Sequence, residues 1–393
     1  MKKLLSALLS AVMAVSFATG CDSKKPDSGD PVTQQNSAAV NEADVQSTDG
    51  ESHYNGFYVE GTKLMDANGN EFIFRGINHA HTWFKDQDDV AIPAIAATGS
   101  NSIRIVLANG IQWGMDNKPA IERLIKMCKE NNLVAIVEVH DGTGDDSIET
   151  LEKIADYWID MKDALIGTES YVILNIANEW IGTWKSETWR DGYVSVIPRI
   201  REAGIENTIM VDSAGWGQYG KCIQDYGKEV FDSDPLANTM FSVHMYGAAG
   251  KNEETIRSNI EGATNQGLCI CVGEFGYNHS DGDVDEAYIM KYCEENGIGY
   301  LGWSWKGNGG GVEYLDLALE WDGSALSEDW GENLVNGTNG IKNTSKVYIY
   351  SINILYLIFF RQSLKNLFPT TINNGFSHIL NLISKNIICR FCL

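Results

Sequence analysis

Eight short apolar runs rich in Val and Ile recur along the middle of the chain, and each ends in polar or aromatic side chains before an amphipathic stretch begins. They cover residues 72–77, 102–107, 134–140, 172–179, 208–213, 239–246, 269–275 and 300–305. Strands this continuously apolar are buried on both faces, which demands a parallel sheet covered by helices. Eight repeats in about 290 residues match a closed (β/α)8 barrel, the TIM-barrel architecture. An open doubly wound sheet is the rival. It is disfavoured because no Gly-x-Gly-x-x-Gly follows any run, and because polar residues crowd the carboxyl ends of all eight rather than one switch point. The helix expected over 147–165 follows Asp146 with Glu149 three residues on, the outline of a capping box, and sets Ile148, Leu151, Ile154, Ala155 and Trp158 on one inward face. Ahead of the first run, segments 58–64 and 71–74 flank Asn68-Gly69, a type I′ hairpin signal, so a small amino-terminal ribbon is expected to cap the barrel.

Both ends differ from this middle. Residues 1–20 carry Lys2 and Lys3, an apolar stretch and then small residues before Cys21, the layout of an export signal. Ala18-Thr19-Gly20-Cys21 resembles the bacterial lipoprotein box, which implies lipidation at Cys21 and a cell-surface location outside the cell. Residues 21–53 hold almost no large apolar group and read as a disordered linker, since they bury too little to offset their chain entropy. Residues 54–345 form the expected catalytic domain. From 346 to 393 every acid disappears; the apolar run 347–360 falls short of the about 20 residues a spanning helix needs. This tail reads as translation past the natural end of the domain, with no function attached. All 53 acidic residues lie between 21 and 345, against 30 Lys and Arg in the whole chain. A field of that sign repels a polyanion, so no nucleic-acid partner is expected. Of eight cysteines, Cys128 lies on the apolar stripe of a helix opened by Pro119 and reads as a buried small hydrophobe; no metal spacing joins it to Cys222, Cys269, Cys271 or Cys293.

Taken in order, the run ends carry Asn78/His79/His81, Arg104, His140, Asn178/Glu179, Asp212/Ser213, His244/Tyr246, Glu274 and Trp303/Trp305. In a barrel these ends converge on one cleft. Glu179 after the fourth run and Glu274 after the seventh can face each other across its mouth. Two facing carboxylates are what glycosidic cleavage needs: one donates a proton to the leaving oxygen and the other attacks or stabilises an oxocarbenium-like centre. A single glutamate at a strand end reads equally well as a solvated rim residue; two, within Asn-Glu and Gly-Glu-Phe-Gly contexts, do not.

Asn175-Ile176-Ala177-Asn178-Glu179-Trp180, Val272-Gly273-Glu274-Phe275-Gly276, Arg104, Glu138-Val139-His140-Asp141, His244-Met245-Tyr246 and Gly302-Trp303-Ser304-Trp305 together resemble glycoside hydrolase family 5. The closer likeness is to its bacterial β-mannanases, which share the stretches 75–84, 157–158, 162–167 and 214–218. The resemblance runs from residue 56 to 345. It implies an endo-acting retaining hydrolase with Glu179 as general acid/base and Glu274 as nucleophile, no cofactor and no metal, working as a monomer on plant cell-wall mannan or glucomannan. It further implies that Asn178 binds the sugar 2-hydroxyl, that Arg104 and Tyr246 hold Glu274, that His140 and His244 place the sugar and the acid, and that Trp303 floors the site. His79, Trp83 and Trp216 sit in the shared motifs and join the expected supporting or substrate-binding set.

The remaining tryptophans divide less sharply. Trp158 reads as core, whereas Trp113, Trp180, Trp184 and Trp189 read equally as packing or as sugar contacts. Three other functions compete. A metal-dependent barrel hydrolase would use His79-Ala80-His81, but the bridging Lys and closing Asp it wants are replaced by Asn178-Glu179 and Trp303–Lys306 residues. A non-catalytic sugar binder would leave both carboxylates dispensable. An endoglucanase of the same family differs only in accepting an equatorial 2-hydroxyl, which no residue type announces.

Overall fold

The computed structural model describes residues 56–348. The export segment, Cys21, the linker and the tail beyond Tyr348 lie outside the described residues. Strands β1 (Tyr58–Glu60) and β2 (Lys63–Met65) pair antiparallel. They are followed by β3 (Arg75–His79), β4 (Ser102–Leu107), β5 (Val134–Val139), β6 (Val172–Asn175), β7 (Ile209–Asp212), β8 (Thr239–Met245) and β9 (Ile270–Phe275). A second small ribbon, β10 (Asn278–His279) and β11 (Gly282–Asp283), precedes β12 (Gly299–Gly302). The eight parallel strands close into a barrel in the order β12-β3-β4-β5-β6-β7-β8-β9. Helices α1 (Asp88–Ala97), α2 (Lys118–Glu130), α3 (Ile148–Asp160), α4 (Ser186–Glu202), α5 (Gly220–Asp232), α6 (Glu253–Thr264) and α7 (Glu286–Asn296) alternate with them, and two short helices, α8 (Gly331–Asn336) and α9 (Ile341–Thr344), follow. This is the (β/α)8 fold read from the eight runs.

Period-two alternation explains which side chains reach the cleft. On β5, Val134 and Ile136 belong to an inner apolar cluster with Ile173, Met210, Met240, Cys271 and Leu301, while Ala135, Val137 and Val139 join the cluster shared with the helices. Two residues further along the same inner faces stand Glu138, Asn175, Asp212 and Ser242, all buried. Each of these four strands is thus apolar inside at its start and polar inside at its end. The amino-terminal mouth is plugged by Phe57, Phe72 and Phe74, with the Tyr348 ring tilted against Phe57 and edge-on to Phe72, each at 5.4 Å. Tyr348 lies past the expected domain end at residue 345 and closes this plug. All five described cysteines are buried free thiols.

Three local expectations are corrected. The first barrel strand starts at Arg75 rather than 72, because Phe72 and Phe74 are drawn into the plug. The single ribbon expected is a meander with two reversals. One falls at Gly61-Thr62, with Glu60 opposite Lys63; the other is the expected Asn68-Gly69 turn, across which Met65 bridges Glu71 antiparallel and Phe72 N–H donates to the Leu64 carbonyl at 2.8 Å, with the Asp66 carboxylate accepting from the N–H groups of Asn68 and Asn70 at 2.8 Å. Helix α3 begins at Ile148 without a capping box: Asp146 accepts from Thr183 N–H and hydroxyl, and Glu149 pairs outward with Lys153. Its inward face is as expected, and the Trp158 indole donates to the Ile176 carbonyl at 2.8 Å.

Candidate active site

Arg104 on β4 is wholly buried and organises the carboxyl-terminal mouth. Its guanidinium donates to Glu274 Oε1 at 2.7 Å, Asn175 Oδ1 and Asn178 Oδ1 at 2.8 Å, Asn78 Oδ1 at 3.1 Å and Asp212 Oδ2 at 3.2 Å. Glu138 lies 3.7 Å away. Burial works against this cation, but Glu138, Asp212, Glu274 and Glu179 around it outweigh that and keep it charged. The Tyr246 hydroxyl donates to the second oxygen of Glu274 at 2.9 Å. Burial and the neighbouring carboxylates push that phenol well above its ordinary value, so it remains a donor.

Glu274 reaches this network only because β9 carries an extra residue. Val243 pairs with Val272 but His244 pairs with Glu274, leaving Gly273 unmatched. Cys271 faces the inner cluster, so strict alternation would turn Glu274 outward; the bulge re-aims it. Only glycine fits there, since a Cβ would lie 2.1 Å from Ser242 Oγ.

His244 Nδ1 contacts Glu179 Oε1 at 2.6 Å and lies 3.6 Å from Glu274 Oε2. One oxygen of Glu179, one of Glu274 and a ring nitrogen of His244 all lie within 4.8 Å of one another. Burial alone would lower the His244 pKa. Glu274, Asp212 and Glu179 outweigh it and raise the imidazole to about 10. Asp212 moves the other way, to about 2, because His244 and Arg104 overcome its desolvation. Glu179 itself adopts φ 42°, a left-handed conformation that costs a non-glycine residue on the order of 1–3 kcal/mol and concentrates at working sites. Its N–H is held by Asp212 Oδ2 at 3.2 Å and its carbonyl accepts from Gly144 at 2.9 Å.

Aromatic rings flank the carboxylates. Trp303 stacks on His140 at 5.8 Å and 26°, and its indole donates to Asn308. His140 bonds Glu138 Oε1 at 3.0 Å through Nδ1 and meets the Asn178 amide at 3.3 Å through Nε2; burial lowers its pKa, but Glu138 and Glu274 leave it raised. Trp83 sets its edge to His140 at 5.2 Å and to Trp113 at 5.1 Å. Beyond Glu179, Trp216 lies along Gly144 and Gly182 and Trp184 meets Tyr219 at 4.7 Å; these two indoles are 48% and 55% exposed.

Residues 65–309 match the family model described as cellulase (glycosyl hydrolase family 5). The chain is 55% identical over 291 residues to a mannan endo-1,4-beta-mannosidase of Salipaludibacillus agaradhaerens, covering 74% of this chain and 94% of that one. A protein of the same name from Cellvibrio japonicus is 41% identical over 295 residues, covering 74% and 68%. Among solved structures, the mannohexaose complex of Thermomonospora fusca beta-mannanase superposes with a TM-score of 0.70 at 41% identity, covering 75% of this chain and 98% of that one. The chain belongs to glycosyl hydrolase family 5.

Within that family-5 barrel, Arg104, His140, Asn178, Glu179, His244, Tyr246, Glu274 and Trp303 converge on one cleft, with Trp83 and Trp216 on its walls. His79 does not join them. It is fully buried, bonded through Nε2 to Asp88 at 3.0 Å and capped edge-on by Trp321, so it has no surface to offer a sugar. Its neighbour His81 bonds Asp88 at 2.8 Å and Asp116 at 3.3 Å, which makes the His-x-His pair a strut for α1 rather than a ligand set beside the carboxylates. Trp180 and Trp189 are core, their indoles donating to the carbonyls of Ser147 and Asp212. Four residues of the network, Asn78, Glu138, Asn175 and Asp212, stand among the run ends or motifs read from the sequence, which assigns them no role. The signal was an ionisable or amide side chain on the inner face of an otherwise apolar run.

Proposed function

We propose that the protein is an endo-acting, retaining β-1,4-mannanase that hydrolyses internal bonds of mannan, galactomannan or glucomannan. The observation that carries the reading is the approach of a Glu179 oxygen and a Glu274 oxygen to within 4.8 Å. Retaining glycosidases hold their carboxyl groups about 5–5.5 Å apart, whereas inverting ones leave about 6.5–9.5 Å for a water molecule. Glu274, bonded by Arg104 and Tyr246, attacks the anomeric carbon as the bond to the leaving sugar breaks, and Glu179 gives that oxygen its proton. Water then adds to the anomeric carbon, Glu179 takes the water's proton, and the bond to Glu274 breaks. Asn178, held by Arg104 and Thr143, is placed for the sugar 2-hydroxyl, and Trp303 for the apolar face of the pyranose. Rings on both sides of the carboxylates suit a polymer that runs through the cleft. Both reacting groups are side chains, so the reaction as drawn uses no cofactor.

Mannan rather than glucan is supported by the relatives' names and by the mannohexaose bound to the T. fusca protein. Reducing-end release from galactomannan should far exceed that from carboxymethylcellulose, and NMR of the first product should show the β-anomer. A preference for cellulose would reverse the substrate, and an initial α-anomer would overturn the mechanism. The layout of residues 1–53 supports export and tethering through a lipidated Cys21, and the domain is proposed to act as a monomer. Mass spectrometry of the mature amino terminus and light scattering test these two points.

A further inference from the structure

We propose that Asp212 is a positioning residue that holds Glu179 and His244 in their proton-delivering arrangement. The proposal rests on the reading of Glu179 as acid/base. Asp212 ends β7 and is buried. A single oxygen, Oδ2, meets three members of the machinery: the Glu179 N–H at 3.2 Å, Arg104 Nη2 at 3.2 Å and His244 Nε2 at 3.4 Å. The first contact stabilises the left-handed backbone that aims the Glu179 side chain. The third is a charge contact: His244 Nε2 has no hydrogen-bond partner, while Nδ1 is committed to Glu179.

Asp212 is itself tightly held. Its Oδ1 accepts from the Asn175 amide at 3.2 Å, and its carbonyl accepts from the buried Trp189 indole at 2.8 Å. His244 is fixed from below as well, because its N–H donates at 2.7 Å to the carbonyl of Gly217, where a Cβ would lie 2.5 Å from the imidazole. The charged groups that face the imidazole are Glu179 after β6, Asp212 from β7 and Glu274 from β9; Arg104 from β4 and Tyr246 after β8 bond to these acids, and Glu138 from β5 lies 3.7 Å from Arg104. Of the acids among them, Glu179 and Glu274 change bonding or protonation during turnover, Glu138 bonds His140, and Asp212 alone is a constant anion against Nε2. Removing its charge weakens retention of the proton shared by His244 and Glu179, so that proton is lost at lower pH.

The test compares Asp212→Asn with Glu179→Ala in the full chain, reading kcat/KM against pH on mannopentaose and on 2,4-dinitrophenyl β-mannobioside, whose leaving group departs without a proton. Both variants should lose more on mannopentaose than on the activated glycoside, and the alkaline limb of Asp212→Asn on mannopentaose should move down by about 1 pH unit or more. Equal losses on both substrates with an unmoved limb would make Asp212 merely structural and overturn the proposal, while a normal response of Glu179→Ala would leave the acid/base reading standing. Equal losses in Glu179→Ala would remove that reading itself. Should Asp212→Asn fail to fold, the NMR titration of the His244 ring in the unaltered protein decides: an imidazolium that persists above pH 8 supports the arrangement, and one already neutral there refutes it.

Discussion

The two mouths of the barrel are built from the same strands two residues apart, yet they obey different physics. At the amino-terminal mouth Val134, Ile136, Ile173, Met210, Met240 and Leu301 meet under a plug of Phe57, Phe72, Phe74 and Tyr348, and their attraction is non-directional. At the carboxyl-terminal mouth Arg104, Glu138, Asn175, Asp212 and His244 replace them, and each contact has a partner and a direction. A volume lost below leaves a void. A group lost above leaves a buried charge without its counter-ion, which is the costlier defect, so the working end of the molecule is also its least forgiving part.

The largest expected effect breaks the chemistry itself. Glu274→Ala should lower kcat on mannan by on the order of 10⁴–10⁶, the scale seen when a nucleophile is removed, measured as reducing-end release. Full activity would end the assignment. Next comes a matched pair, one substitution per mouth. Arg104→Met strips several carboxylates of their cation and should cost about 3–5 kcal/mol in urea unfolding together with nearly all turnover. Leu301→Ala opens a cavity in the apolar layer and should cost about 2–5 kcal/mol, while the surviving folded protein turns over mannan near the original rate. If Leu301→Ala silenced the enzyme as Arg104→Met does, the division between a structural and a working mouth would fall.

The contrast also decides what the sequence could reveal. Runs apolar enough to be barrel strands announce themselves by period, and Asn178-Glu179 and Gly273-Glu274 by motif. The aim of Glu274 is another matter: counting alternate residues from Cys271 turns it the wrong way, and Gly273 is the sole local hint of the bulge that corrects it. Glu138 and Asp212 were visible as acids on inner faces, but their importance lies in partners on other strands, and those distances exist only after closure. His79 was misjudged for the same reason. Its position at a strand end suggested the cleft, whereas Asp88 and the distant Trp321 seal it in. The plug likewise uses Tyr348, from a stretch whose composition gave no reason to expect packing.

Acid and base should separate the two mouths without any mutation, since burial pushes the thiols and the Tyr348 phenol of the lower one upward, while the upper one holds a displaced imidazole and carboxylate. His244 carries a folded-state pKa of about 10 against an ordinary 6.5, so its stabilising contribution is complete below pH 6.5 and disappears as pH rises through 10. Asp212 carries about 2 against 3.8, so its contribution is complete above pH 3.8 and is lost as pH falls through 2. The urea midpoint of the unaltered protein relative to His244→Asn should therefore be highest near pH 6 and shrink toward pH 10. A difference that stays constant would mean that His244 titrates in the folded protein as it does in the unfolded chain.

The smallest expected effect sharpens the upper mouth into its own two parts, the charged centre and the aromatic walls. Trp216 stands 48% exposed along Gly144 and Gly182, beyond Glu179, and is proposed to offer its flat face to a bound chain. Loss of one ring contact is worth about 0.5–1.5 kcal/mol. Trp216→Ala should accordingly raise KM for mannohexaose by roughly 2–12-fold with kcat little changed, because the Glu179–His244 pair and the Asp212 carboxylate that holds it are untouched. On a substrate too short to reach the rim, the variant and the unaltered protein should be indistinguishable. A fall in kcat instead would tie the wall to the centre, since Trp216 lies along Gly144, whose N–H holds the Glu179 carbonyl.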